Sequence, residues 1–277
     1  MKARRGTRKL FRKILHARFG AVGAALALAV ALAVPSPARA SGQLTIAAAA
    51  DLDSALHALI ARFERQTGAE VRLVLGSSGN LTVQIEHGAP YDLFFSADVA
   101  HAVKLERENL IVPGSLVRYA VGRLVVYVPR DSSLDFAERG LAALADPSVR
   151  KIAIANPRFA PYGQAAVAAL RHANLYAELE PRLVLGEDVS QTTEFVVSGN
   201  AQAALTALSL MFAPATRAAG RYWLVPQSDY PPIEQAVAIV GRSREKTLAR
   251  KFLDFIETKE GRAIFRQYGF ATPEKRP

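Results

Sequence analysis

Four short stretches place small, neutral or hydroxyl-bearing residues where an apolar run gives way to an amphipathic one. They are Ala48-Ala49-Ala50-Asp51, Gly76-Ser77-Ser78-Gly79-Asn80, Ala160-Pro161-Tyr162-Gly163 and Glu187-Asp188-Val189-Ser190. Each reads as the turn between a strand and the helix that follows it. Helix N-termini expose unpaired N–H groups and the positive end of the macrodipole, so several aimed at one point hold an anion without any formal positive charge. Taken singly, Asp51, Ser77, Ser78 and Asp188 are also ordinary helix caps. Four such turns favour the anion site, because capping alone does not require small neutral neighbours each time.

Catalytic chemistry finds less support. The five histidines (His16, His57, His87, His101 and His172) are scattered, and no HExxH spacing occurs, so a bare metal site is not expected. Neither a GxSxG elbow nor a GxxxxGK[ST] loop is present. With no Cys there is no disulfide framework and no thiolate centre. An exported enzyme acting on a small phosphorylated compound would have only Asp51, Glu187 and Asp188 near these turns as acid or base.

The turns need a framework, and the chain offers an α/β one in which strand-like runs alternate with amphipathic segments. Strands are expected at 44–48, 71–75 and 92–96, each followed by a helix. An extended run over 120–128 is long enough to pass between two lobes. The βα pattern then restarts with strands at 152–155, 183–185 and 203–207. A second long strand at 233–240 precedes terminal helices near 244–258 and 261–268. Two long strands bracketing a central βα block predict two lobes with two crossovers: 41–120 plus 233–277, and 121–232. Hinge movement is expected near Gly122 and Val237.

The first 40 residues hold nine Lys or Arg and no acid, then an apolar run from Phe19 to Val34 and the small-residue end Ala38-Arg39-Ala40. This is the plan of a secretory signal peptide, 1–40, and the run is too short to span a membrane. Its removal takes the formal charge from +10 to +1. A nucleic-acid partner is therefore not expected, and no membrane span remains after cleavage.

Several stretches (TIAAAADLDSAL, LGSSGNLTVQIEHGAPYDLFFSAD, ANPRFAPYGQAAVAAL, GEDVSQ and the terminal YGF) make the chain resemble the periplasmic molybdate-binding proteins of ABC importers. The resemblance covers nearly all of the chain after Ala40. It implies a type II solute-binding fold whose lobes close over a tetrahedral dianion, molybdate or tungstate, with no cofactor. The implied protein is a periplasmic monomer serving a permease and its ATPase.

Carried over residue by residue, Ser78 of the Ser77-Ser78 loop is the hydroxyl donor, and Val189 and Tyr162 are backbone N–H donors. Asp51 falls where many relatives place a hydroxyl donor. Ala207 stands where many have a ligand-contacting Tyr. Asp51 is the awkward residue, since a carboxylate about 4 Å from a dianion costs about 4 kcal/mol per charge pair at an effective dielectric near 20. Either its side chain turns away to cap its own helix, the preferred reading, or the ligand is a protonatable oxyanion such as phosphate or a phosphonate whose proton Asp51 accepts.

Overall fold

The computed structural model describes residues 42–273; the proposed signal peptide lies outside them. In chain order the first elements are β1 (Gln43–Ala49), α1 (Asp53–Thr67), β2 (Glu70–Gly76), α2 (Ser78–Glu86), β3 (Leu93–Ser96), α3 (Val99–Arg107) and β4 (Val117–Gly122). There follow β5 (Leu124–Pro129), β6 (Ile152–Ala155), α4 (Pro161–His172), β7 (Leu183–Gly186), α5 (Val189–Val197), β8 (Ala203–Ala207) and β9 (Gly220–Leu224). The chain ends in β10 (Ile233–Ile239), α6 (Lys246–Glu257) and α7 (Lys259–Gln267).

These strands form two five-stranded sheets, ordered β2-β1-β3-β10-β4 and β7-β6-β8-β5-β9. Both have the same plan. β1 lies parallel to β2 and β3, as β6 does to β7 and β8, while β10 and β5 enter antiparallel beside β3 and β8. The parallel strands are short and apolar because helices cover them. The result is the two-lobed α/β fold expected from the alternation.

Amphipathic spacing fixes which helix faces are buried. In α6 the apolar residues Ala249, Phe252, Leu253 and Ile256 recur at helical period, and all four are buried. Phe252 packs against Phe63 of α1, with ring centroids 4.9 Å apart, and against Phe95 of β3 at 6.1 Å. Tyr119 of β4 joins the same cluster, 5.3 Å from Phe95 and 4.9 Å from Phe265.

The structure departs from the sequence reading at both crossovers. The extended run over 120–128 is two strands, because Gly122 pairs with Ile233 in the first sheet whereas Leu124 pairs with Ala207 in the second. One continuous ladder cannot serve two sheets, so the chain changes sheets at Arg123. Val237 is no hinge: it pairs with Phe95 on one side and Val117 on the other, in the middle of the first sheet. The second crossover precedes β10, where the Tyr230 hydroxyl accepts the Leu124 N–H at 3.0 Å and ties the two connections together. β9 was not anticipated. It is a short edge strand with Arg221 and Tyr222 exposed, so it has no apolar alternation to betray it.

Phe252→Ala should destabilise the fold by about 3–5 kcal/mol through the cavity it leaves, whereas Val83→Ala on an exposed helix face should change stability by about 0.5 kcal/mol or less. Urea denaturation of the two variants measures both, and equal effects would contradict the placement of the aromatic cluster.

Candidate functional site

The β1–β2 register sets Ala49 opposite Gly76, and the β6–β7 register sets Ala155 opposite Gly186. The carboxyl ends of paired parallel strands therefore lie side by side in each lobe, and the turns that leave them converge, as ligand sites in open α/β sheets do. One small cavity receives all four turns. Its wall comprises Ala49, Ala50 and Asp51, then Gly76, Ser77 and Ser78, then Ala160, Pro161 and Tyr162, then Asp188 and Val189, with Ala97 completing it. Asp51, Ser77, Ser78, Tyr162 and Val189, far apart in sequence, are thus brought together. The cavity wall contains no Lys, Arg or His.

Capping and donation are divided between neighbours. Ser77 is the N-cap of α2 and its Oγ accepts the Asn80 N–H at 3.4 Å. Ser78 is fully buried, and its Oγ accepts the Ala97 N–H at 2.9 Å, which leaves the hydroxyl proton available to the cavity. Asp188 caps α5 by accepting from Ser190 N at 2.9 Å and Gln191 N at 3.0 Å. The N–H of Val189, in the first position of α5, has no carbonyl partner within its own helix. α4 starts with Pro161, and no side chain caps it, so the N–H of Tyr162 in its first turn is likewise left over. Ala207 ends β8, fully buried and outside the cavity wall.

Asp51 is not a cap. It lies within the 3-10 turn Ala50–Leu52, and neither that turn nor α1 has a side-chain cap bond. Its carboxylate turns instead toward β10, where Gln235 Nε2 donates to Oδ2 at 2.5 Å, while Tyr119 Oη donates to Gln235 Oε1 at 2.6 Å. Ser209 Oγ donates to the Asp51 main-chain carbonyl at 2.6 Å. Asp51 Oδ1 and Tyr162 Oη are buried without a hydrogen-bond partner. The phenol of Tyr162 is close enough to feel the carboxylate but is not in bonding geometry with it; a Cβ on Gly122 would lie 2.1 Å from its Oη.

Burial pushes the Asp51 carboxyl from 3.8 up to about 7, because losing water penalises the charged form more than the Gln235 bond favours it. Burial, together with the Asp51 charge, also raises Tyr119 and Tyr162 well above the usual phenol range. A raised carboxyl binds its proton more tightly in the folded state than in the unfolded one. Its contribution therefore falls as pH rises from about 4 to about 7, the reverse of a salt-bridged Asp.

The lobes meet across the cavity mouth. The Gly79 N–H donates to the Phe159 carbonyl at 2.8 Å, and Asn80 Nδ2 donates to Glu187 Oε1 at 3.3 Å. A Cβ at Gly79 would stand 2.8 Å from both Cα and O of Phe159, so only glycine allows this approach. Sequence reasoning missed Gln235, Tyr119 and the Gly79–Phe159 contact. Gln235 had one signal, as the uncharged polar residue inside the apolar strand IEQAVAI.

Among the described residues there is no cluster of His, Cys, Asp or Glu suited to a metal ion, and no helix is long and apolar enough to cross a membrane.

Residues 44–271 match the family described as bacterial extracellular solute-binding protein. The chain is 36% identical over 233 residues to the molybdate-binding protein ModA of Rhodobacter capsulatus, covering 84% of this chain and 90% of that protein. It is 32% identical over 230 residues to ModA of Azotobacter vinelandii, covering 83% and 90%. The solved structure of the Azotobacter vinelandii periplasmic molybdate-binding protein superposes with a TM-score of 0.78 at 33% identity, covering 83% of this chain and 100% of that one. The sulfate-binding protein SubI of Mycobacterium tuberculosis shares the fold, with a TM-score of 0.70 at 16% identity. With two α/β lobes around a cation-free cavity and matches along nearly the whole described length, the chain belongs to the bacterial extracellular solute-binding proteins and is ModA-like among them.

Proposed function

We propose that the protein is an extracytoplasmic receptor, not an enzyme, that captures molybdate or tungstate in the periplasm and delivers it to the permease and ATPase of an ABC importer. The observation that supports this most directly is a buried cavity lined by three α-helix N-termini and a hydroxyl, with no cationic side chain. Such a site suits a small anion whose charge is spread over several oxygens, because many weak partial charges replace its hydration shell. In this reading Ser78 Oγ and the N–H groups of Val189 and Tyr162 donate to the ligand. Ser77 and Asp188 hold the helix ends in place.

Capture is coupled to closure of the two lobes about the crossover at Arg123 and the connection before β10. The lobes are the first sheet with its helices and the second sheet with its helices. Gly79 and Phe159 form the latch, and its short backbone contact is available only when the lobes are together. Tungstate matches molybdate closely in size and charge, so the same site accepts either.

A thermal-shift panel of the protein without residues 1–40 tests the ligand. Molybdate or tungstate at about 100-fold its dissociation constant should stabilise the fold by about 2.7 kcal/mol, and phosphate should have no effect. Stabilisation by phosphate and not molybdate would mean that Asp51 accepts a proton from a protonated oxyanion, and would overturn the molybdate reading. Ser78→Ala should weaken molybdate binding by about 1.5–3 kcal/mol in calorimetry, the range for a charge-assisted hydrogen bond. Gly79→Ala should prevent full closure, so that small-angle scattering finds a larger radius of gyration at saturating molybdate than for the wild type. Equal radii would remove the latch from the mechanism.

A further inference from the structure

The polar chain behind the cavity has a direction. Tyr119 Oη donates to Gln235 Oε1, which leaves the Gln235 amide nitrogen facing Asp51, where it donates to Oδ2. Oδ2 is thereby the accepting oxygen of the carboxyl group. Oδ1 is buried, has no partner and belongs to a residue of the cavity wall. If Asp51 were ionised, Oδ1 would have only the neighbouring Tyr162 phenol, which is not in bonding geometry with it, to set against a bound anion that is itself only an acceptor. Two acceptors in contact without a proton or a donor between them cannot both be satisfied.

The groups around Asp51 are neutral or acidic, and burial outweighs what Gln235, Tyr162 and the backbone do to keep it charged. From β4 and β10 it faces Tyr119 and Gln235, from α4 Tyr162, and from the turn at 208–212 Ser209. Tyr230, near Tyr162, is a further phenol, and Asp188 across the cavity is an acid already engaged in capping α5. No guanidinium, ammonium or imidazole lines the cavity.

We propose that Asp51 enters the closed site as a neutral carboxylic acid whose Oδ1 proton is donated to an oxygen of the bound oxyanion, so that each anion is captured together with one proton. In the open protein the carboxyl group meets water and is ionised near neutral pH. On closure it takes a proton from solvent, and on release of the anion it returns that proton; no bond other than this O–H is made or broken. The upward push of burial on its carboxyl, to about 7 even without an anion nearby, acts in the same direction, and an adjacent dianion adds to it.

This inference rests on the proposed oxyanion-binding function, and one calorimetric experiment separates the two. Molybdate is titrated into the protein at pH 8.5 in two buffers of different ionisation enthalpy, and again at pH 7 and pH 9. The wild type should take up about one proton per anion, with affinity falling about tenfold per pH unit over that range. Ser78→Ala should bind more weakly yet take up the same proton, and Tyr162→Phe should also retain the uptake. Asp51→Asn should take up none and bind equally at pH 7 and pH 9, since an amide donates without titrating. Tight wild-type binding with no proton uptake would overturn the proton-coupled role alone. No binding at any pH would overturn the receptor function and this inference with it.

Discussion

An anion removed from water must be given donors in place of its hydration shell, and in the function proposed above the backbone provides most of them. That constraint explains features that otherwise look unrelated. Parallel strands end side by side in each lobe so that helix N-termini meet at one place. Caps are made by Ser77 and Asp188 of the cavity wall, so that the N–H groups beside them stay free. Small residues such as Ala49, Ala50, Gly76 and Ala160 line the wall, since larger ones would hold a ligand away from the amides.

A site built from partial charges also has to be closed to be strong, because water competes with each N–H···O bond. The two sheets are joined by only two chain connections, near Arg123 and Tyr230, and the closure proposed above would leave the sheets themselves unchanged. Gly79 permits a backbone hydrogen bond directly across the mouth, and Asn80 and Glu187 flank it. The contact is polar and short, which suits a mouth that must reopen.

Of the two acids in the cavity wall, Asp188 caps α5 while Asp51 caps nothing, and no basic side chain lines the cavity beside it. A buried carboxyl group with one oxygen held by an amide and the other without a partner is better neutral than charged. The Tyr119–Gln235–Asp51 chain orients it from the first lobe, while Tyr162 and Ser209 approach it from the second. The carboxyl group thus sits where the lobes and the cavity meet.

Much of this was legible in the sequence. The alternation of apolar runs and amphipathic segments determines the α/β class, because strand and helix periods differ and leave different patterns. The four turns could be located because small and hydroxyl-bearing residues at the end of a strand have a local physical meaning. Ser77 and Asp188 as caps follow from positions within a few residues of each other, whereas Ser78 as a hydroxyl donor is what the family resemblance implies. The tertiary structure decided what local rules cannot reach. Asp51 looked like a cap from its own neighbourhood, yet its carboxylate is held by Gln235, 184 residues away. The run over 120–128 looked like one strand, yet its halves are claimed by different sheets. The Gly79–Phe159 contact joins two lobes that no pattern could register against each other. Secondary structure and capping depend on bonds between near neighbours and so are written locally, whereas the partner of a buried polar group is set by which strands pair, which is known only once the chain has folded.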